Sequence, residues 1–264
     1  MATKRSSTVR WGAIEQLVLA VPGAFRTSRE TAISLIALSV AWEIASRFFP
    51  PYIVPGWELI LATLISLRPV DVLVTGGRVA LAIVASFAVG MLAAVVMYLS
   101  QRAESYLLPL VKLVMAVPVI CWILFAVLWF RGLEFRIFFI LFTVCAPVFI
   151  IDVLDGIKNV PKELREMLMS FRPSRIDYVN KLLIPGTLPA ILTSWKINLS
   201  LALRVATIAE LVGAASGIGY QLQIAQGNFS IAEVFAWTGV LVILLLLAQV
   251  GVSLVERYVL RWRD

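Results

Sequence analysis

VALAIVASFAVGMLAAVVMYL, residues 79–99, runs for 21 residues without a charge or a proline. About 20 apolar residues in a helix cross the ~30 Å hydrocarbon core of a bilayer. Working outward, Val234–Val255 is 22 residues without a charge, Leu113–Phe130 is 18 and Ile137–Ile151 is 15. Thr31–Phe49 is apolar apart from Glu43 and Arg47, which stand at i,i+4 and are expected to pair. Leu182–Glu210 is interrupted only by Lys196 and Arg204 among its interior residues. The pattern predicts an all-α integral membrane protein with about six transmembrane helices. No segment alternates over about ten residues between regular turns, which argues against a membrane β-barrel.

Composition agrees. Of 264 residues, 61% are hydrophobic and 15% charged, and the mean hydropathy is +0.93. A soluble domain is roughly half apolar and about a quarter charged. Disorder, a disulfide scaffold and nucleic-acid binding are excluded in turn: the first needs low hydrophobicity, the second many cysteines, the third a soluble basic face. With no histidine, the commonest metal ligand and general base is missing. Cys121 and Cys145 lie in apolar runs and read as small buried hydrophobes.

The net charge of +7 reports topology. Fifteen Lys and Arg fall in 1–30, 100–106, 152–181 and the tail after 256, against five in 47–78, 131–136 and 209–233. The positive-inside rule then places both termini in the cytoplasm. Residues 1–30 form a basic cytoplasmic lead before a membrane domain, 31–264. The first apolar run ends at Phe48-Phe49-Pro50-Pro51, without a small-residue cleavage site, and reads as an uncleaved signal anchor.

Asp152–Lys181 is the long polar stretch between spans. Pro161 suits a first helical position and Glu163 suits the first turn. Leu164, Met167, Leu168 and Phe171 fall at i, i+3, i+4, i+7, one apolar stripe, with Lys162, Arg165 and Glu166 on other faces. Arg172-Pro173 ends this helix. Ser174, with Asp177 three residues on, starts a second one in a pattern close to a capping box. The plain alternative is an interfacial helix that rests on lipid.

Glu166-Met-Leu-Met-Ser-Phe-Arg172, eleven further residues, then Ile184-Pro185-Gly186-Thr-Leu-Pro189 resembles the cytoplasmic EAA loop of ABC importer permease subunits. The branch it resembles is the nitrate/sulfonate/taurine/bicarbonate type. Val117-Pro118, Ala209-Glu210, Ser216-Gly-Ile-Gly-Tyr220 and the tail from Val255-Glu256-Arg257 to Arg263 also match it. Two positions depart from the family: Met167 and Leu168 replace small residues, and Arg172 replaces a glycine. An Arg adopts left-handed backbone geometry less easily than Gly, so a differently shaped helix end is expected, and pairing with a more typical second permease is one arrangement that would accommodate it.

The resemblance implies a type I importer permease of MetI-like architecture in the bacterial inner membrane, with a coupling loop over 152–183. It implies that Glu163, Leu164, Glu166, Met167, Leu168, Phe171 and Arg172 meet a separate ATPase dimer. A second permease copy or paralogue, an external binding protein and the lipid membrane are the other partners. The chain lacks a Gly-x4-Gly-Lys-Ser/Thr loop, so it needs no cofactor of its own; ATP and Mg would belong to the ATPase.

Charges within spans default to functional hypotheses. Arg204 reads either as an electropositive element of an anion pathway or as a structural partner of Glu210, Glu43 or a neighbouring subunit. Arg78, Lys112 and Lys196 read as snorkelling side chains. Ala209–Glu233, with Gly213, Gly217, Gly219, Gly227 and several amides, reads as an outer re-entrant turn or gate; Gly213-x3-Gly217 equally allows close helix packing. Glu210, Gly217, Gly219 and Tyr220 join Arg204 as pathway or gate candidates. Pro50–Val72 reads as an outer loop with a short surface helix, Tyr52 and Trp57 at the interface. The expected cargo is a small anion such as a sulfonate, taurine or nitrate. An ion-gradient-driven transporter is the rival; it would need intramembrane carboxylates, of which only Glu43 and Glu210 stand out. An intramembrane enzyme is disfavoured by the missing histidines.

Overall fold

The computed structural model describes residues 29–261. Residues 1–28 of the expected lead 1–30, the basic part of the signal-anchor reading, lie outside the described residues, as does the end of the tail, 262–264. The described chain resolves into two compact units: the residues up to Arg68 together with those from Leu222 on, and Pro69–Gln221.

In the first unit, α1 (Arg29–Phe48) is followed by α2 (Trp57–Ser66), the short helix expected after the prolines. Glu43 does not pair with Arg47. Its carboxylate accepts the Trp57 backbone N–H at 3.2 Å, satisfying an orphan donor at the start of α2. The two indoles complete the stitching: Trp42 donates to the Pro55 carbonyl at 3.0 Å and Trp57 to that of Ser39 at 3.1 Å. The last helix of this unit, α11 (Ile231–Val259), packs on α2.

The second unit contains α3 (Pro69–Leu99), α4 (Gln101–Ala116), α5 (Val119–Trp129), α6 (Leu133–Lys158), α7 (Lys162–Ser170), α8 (Arg175–Tyr178), a π turn (Val179–Leu183) and α9 (Ile184–Leu211). It ends within α10 (Ile218–Gly227). α6 packs against both α3 and α9. Small residues permit the approach: a Cβ on Gly90 would stand 2.7 Å from Phe149 Cβ, and one on Gly156 2.8 Å from Ala190 Cβ. Phe87, Phe149 and Trp195 interlock where α3, α6 and α9 meet, with centroids 5.2–5.7 Å apart. Below them lies an apolar cluster of Ala94, Met97, Ile150, Val153, Leu154 and Ile157.

Leu113–Phe130 is not one straight span. α4 and α5 meet at 91° across Val117-Pro118. Pro118 has no N–H to give the ladder and disfavours helical geometry at the preceding residue; Val117 is extended, at φ −76° and ψ 125°.

Three helices, α3, α6 and α11, are long and apolar enough to cross a membrane, and the bent pair would make a fourth. α1 and α9 contain 20 and 28 residues, about 30 and 42 Å at 1.5 Å per residue, and carry more polar side chains. Counting these two by length would give the six helices expected from the sequence. Residues 152–158 continue α6, so the polar loop is shorter than its hydropathy suggests.

Gly90→Val should cost about 1–3 kcal/mol by overpacking the α3–α6 contact. The check is thermal unfolding in detergent; an unchanged melting temperature would contradict the close approach.

Candidate functional site

Two parts of the second unit carry functional character: the polar arm between α6 and α9, and a buried polar network at the far end of α9.

The arm begins with Pro161 as the N-cap of α7, one position earlier than its sequence preference. Leu164, Met167 and Phe171 are 45%, 57% and 77% exposed. Leu168 is half-buried, and Glu163 and Glu166 are exposed. The apolar stripe therefore forms, and most of it is left uncovered by the described residues. Phe171 caps the helix at its C-terminus, and the Arg172 N–H reaches the Met169 carbonyl at 3.0 Å. This is one of the two Schellman bonds; the other would need an N–H that Pro173 lacks. Arg172 has φ +48°, so the Arg does take the left-handed geometry that glycine favours. The expected reshaping of the helix end does not occur.

Past the turn, the Asp177 N–H bonds the Ser174 hydroxyl at 3.1 Å, and that hydroxyl donates to the Asp177 carboxylate at 2.7 Å. The Lys181 ammonium and then the Ser174 hydroxyl hold the Asp177 carboxyl below the usual range. The Tyr178 hydroxyl lies 3.5 Å from that of Tyr98 at the end of α3. Burial, then that contact, pushes Tyr178 above the ordinary phenol range. Lys158 pairs with Glu104 at 2.5 Å. These contacts tie the arm to α3 and α4.

The network was misread in sequence. Arg78 does not snorkel; it is 9% exposed and binds three groups. Its Nη1 donates to Glu210 and to the Ser216 carbonyl, both at 2.8 Å. Nη2 reaches the Ser216 hydroxyl at 3.1 Å, and Nε and Nη2 make a bidentate pair with Glu134. Glu210, fully buried, also accepts from the Thr75 hydroxyl at 2.8 Å and from the Gly219 N–H at 2.9 Å. Asp71 accepts the Gly217 N–H and the Gln221 amide, each at 2.8 Å, and the Thr75 hydroxyl accepts the Ile218 N–H at 2.9 Å. Three successive N–H groups at the start of α10 thus face oxygen acceptors, two of them carboxylates, as the positive end of a helix favours.

Gly217 and Gly219 are required sterically. Gly217 sits at φ +106°, and a Cβ on it would strike the Glu210 carboxylate; one on Gly219 would strike the Thr207 carbonyl. Tyr220 is half-buried beside them. The missed signal was periodic: Asp71, Thr75 and Arg78 lie at i, i+4, i+7, a polar stripe on the first turns of an apolar helix. Longer helices also bring in carboxylates, Asp71 and Glu134, that the hydropathy windows excluded.

Arg204 does not pair with Glu210. Six residues separate them, about 240° around the helix, so Glu210 turns toward α3 while Arg204 lies on the exposed face. Its Nε donates to the Ser200 carbonyl at 3.0 Å.

A family model described as "Binding-protein-dependent transport system inner membrane component" matches residues 86–263. The chain is 26% identical over 240 residues to the formylaminopyrimidine transport permease protein ThiX of Halalkalibacterium halodurans, covering 89% of this chain and 96% of that one. It is 26% identical over 251 residues to the taurine transport system permease protein TauC of Escherichia coli, covering 89% and 91%. Its fold is similar to a chain of the inward-facing MetNI methionine ABC transporter, with a TM-score of 0.61 at 21% identity, covering 74% of this chain and 97% of that one.

Glu210→Ala should cost about 3–5 kcal/mol, because it leaves the Arg78 guanidinium buried with one carboxylate fewer. Arg78→Met combined with Glu210→Met should lose less than the sum of the two single changes. Melting temperatures in detergent report both, and strict additivity would mean that the pair is not coupled.

Proposed function

This chain belongs to the family of inner membrane components of binding-protein-dependent transport systems, a permease subunit of an ABC importer, and we propose that a separate ATPase drives it by gripping α7. The observation that carries this reading is the stripe of Leu164, Met167 and Phe171, exposed on a nine-residue helix. An amphipathic helix lays such a face into an apolar groove. The lysine and arginine distribution supports a cytoplasmic position for the arm and for both termini. With no phosphate loop in this chain, ATP and Mg would be bound by the ATPase dimer.

In this reading two permease chains, identical or paralogous, enclose the pathway, and an external binding protein delivers the solute. Movement of the arm passes through the π turn into α9 and through Tyr178 into α3. Arg204 lies on the exposed face of α9, and a guanidinium at that depth is unfavourable against hydrocarbon. We assign that face to a water-filled pathway or to the second permease, and the cargo to the small anions: a sulfonate, taurine or nitrate. TauC, named for taurine, supports this class; ThiX, named for a pyrimidine, marks the neighbouring one. Glu210, Gly217, Gly219 and Tyr220 then shape the gate end of α9 without touching solute. An ion-coupled mechanism gains no support, since Asp71 and Glu210 are both engaged in fixed hydrogen bonds.

Met167→Asp should abolish ATP-driven uptake in proteoliposomes while the protein still inserts and assembles as a permease. Leu168→Asp should do the same, but Leu168 is half-buried, so Met167 is the cleaner probe. Uptake at wild-type rate in Met167→Asp would refute the docking assignment. Arg204→Met should raise the half-saturating concentration of an anionic cargo roughly tenfold, the scale of one lost charge-assisted contact. Uptake titrated against delivered solute measures it, and an unchanged value would remove Arg204 from the pathway.

A further inference from the structure

Arg172 has a bulky side chain at φ +48° and is followed by Pro173. The left-handed region is unfavourable for any residue with a Cβ other than Asn or Asp, and a following proline narrows the allowed backbone further. No side-chain contact among the described residues offsets this. Arg172 is exposed, and its guanidinium makes no hydrogen bond or ion pair to any described residue. Of the carboxylates of α7, Glu163 lies in its first turn and Glu166 at its middle, and neither pairs with Arg172. The Arg side chain stands directly after Phe171, the most exposed member of the apolar stripe. Strain of this kind persists where the flanking structure imposes it, and it gathers at sites of function.

We infer that Arg172 selects the ATPase: its guanidinium meets a carboxylate at the end of the apolar groove that receives Leu164, Met167 and Phe171. This rests on the docking of α7 described above and adds the charge of the partner surface. A planar fork of N–H donors suits a carboxylate in two-point contact. Glycine would take the same backbone without strain, so the Arg costs stability in the free permease and contributes affinity in the complex.

The test uses full-length permease in lipid nanodiscs and the ATPase subunit of the same importer, with binding measured across a salt series. Arg172→Gly should raise the melting temperature of the free permease by about 2–4 °C, the shift expected for one relieved backbone strain in a chain of this size. The same change should weaken ATPase binding roughly tenfold, as for one charge-assisted contact, and flatten its salt dependence. Arg172→Asn, which tolerates the left-handed region without the charge, should weaken binding likewise. Arg172→Lys should restore most of the salt dependence. If Met167→Asp abolishes binding while Arg172→Gly binds as wild type with unchanged salt dependence, the Arg172 assignment falls and the docking of α7 stands. If Met167→Asp also binds as wild type, both fall. No rise in melting temperature for Arg172→Gly would remove the strain on which the inference is built.

Discussion

The contact between Arg78 and Glu210, 2.8 Å long, with both side chains buried and the exposed Glu134 on the outer side of the guanidinium, is the constraint on which the far end of the second unit depends. A lone charge at either position would be strongly unfavourable in that environment. Together with Thr75, Asp71 and Ser216 the two side chains satisfy one another and the backbone N–H groups at the start of α10. The glycines follow from this. With any larger residue at 217 or 219, the carboxylate of Glu210 would lose its seat. Because the Asp71 carboxylate also holds the Gln221 amide, the network joins the first and last turns of the unit Pro69–Gln221.

At the opposite end of α9 the physics is reversed. The arm holds few buried residues and keeps its apolar stripe uncovered, while the Tyr98–Tyr178 and Glu104–Lys158 contacts fix where it leaves the body. Surface contacts of this kind and small local caps are individually weak. A segment held by weak contacts at its edges and connected to a tightly packed bundle suits a lever: it can shift without unpacking Phe87, Phe149 and Trp195. α9 runs from the π turn to Glu210 and is held midway by Trp195 against Phe87 and Phe149.

Much of this was legible in the chain. The apolar stripe of α7, its flanking charges, the start of the next helix at Ser174 and the short helix after Pro50-Pro51 all follow from local periodicity and caps. The bend at Val117-Pro118 was visible as a proline inside an apolar run, yet hydropathy alone merged its two halves. The pairing of Glu43 was mistaken for the same reason: spacing offered Arg47, while folding offered the unsatisfied N–H of Trp57.

What the sequence determined by itself was therefore the part carried by apolar periodicity and local caps: which segments are greasy enough for a bilayer, which face of α7 is apolar, and where its neighbour begins. The tertiary structure alone decided that Arg78 belongs to Glu210, 132 residues distant, and that Arg172 takes a backbone shape its own side chain disfavours. Charged residues in a low-dielectric core choose partners by where helices cross, and a strained turn is imposed by the elements on either side of it. Neither choice is recorded in local spacing.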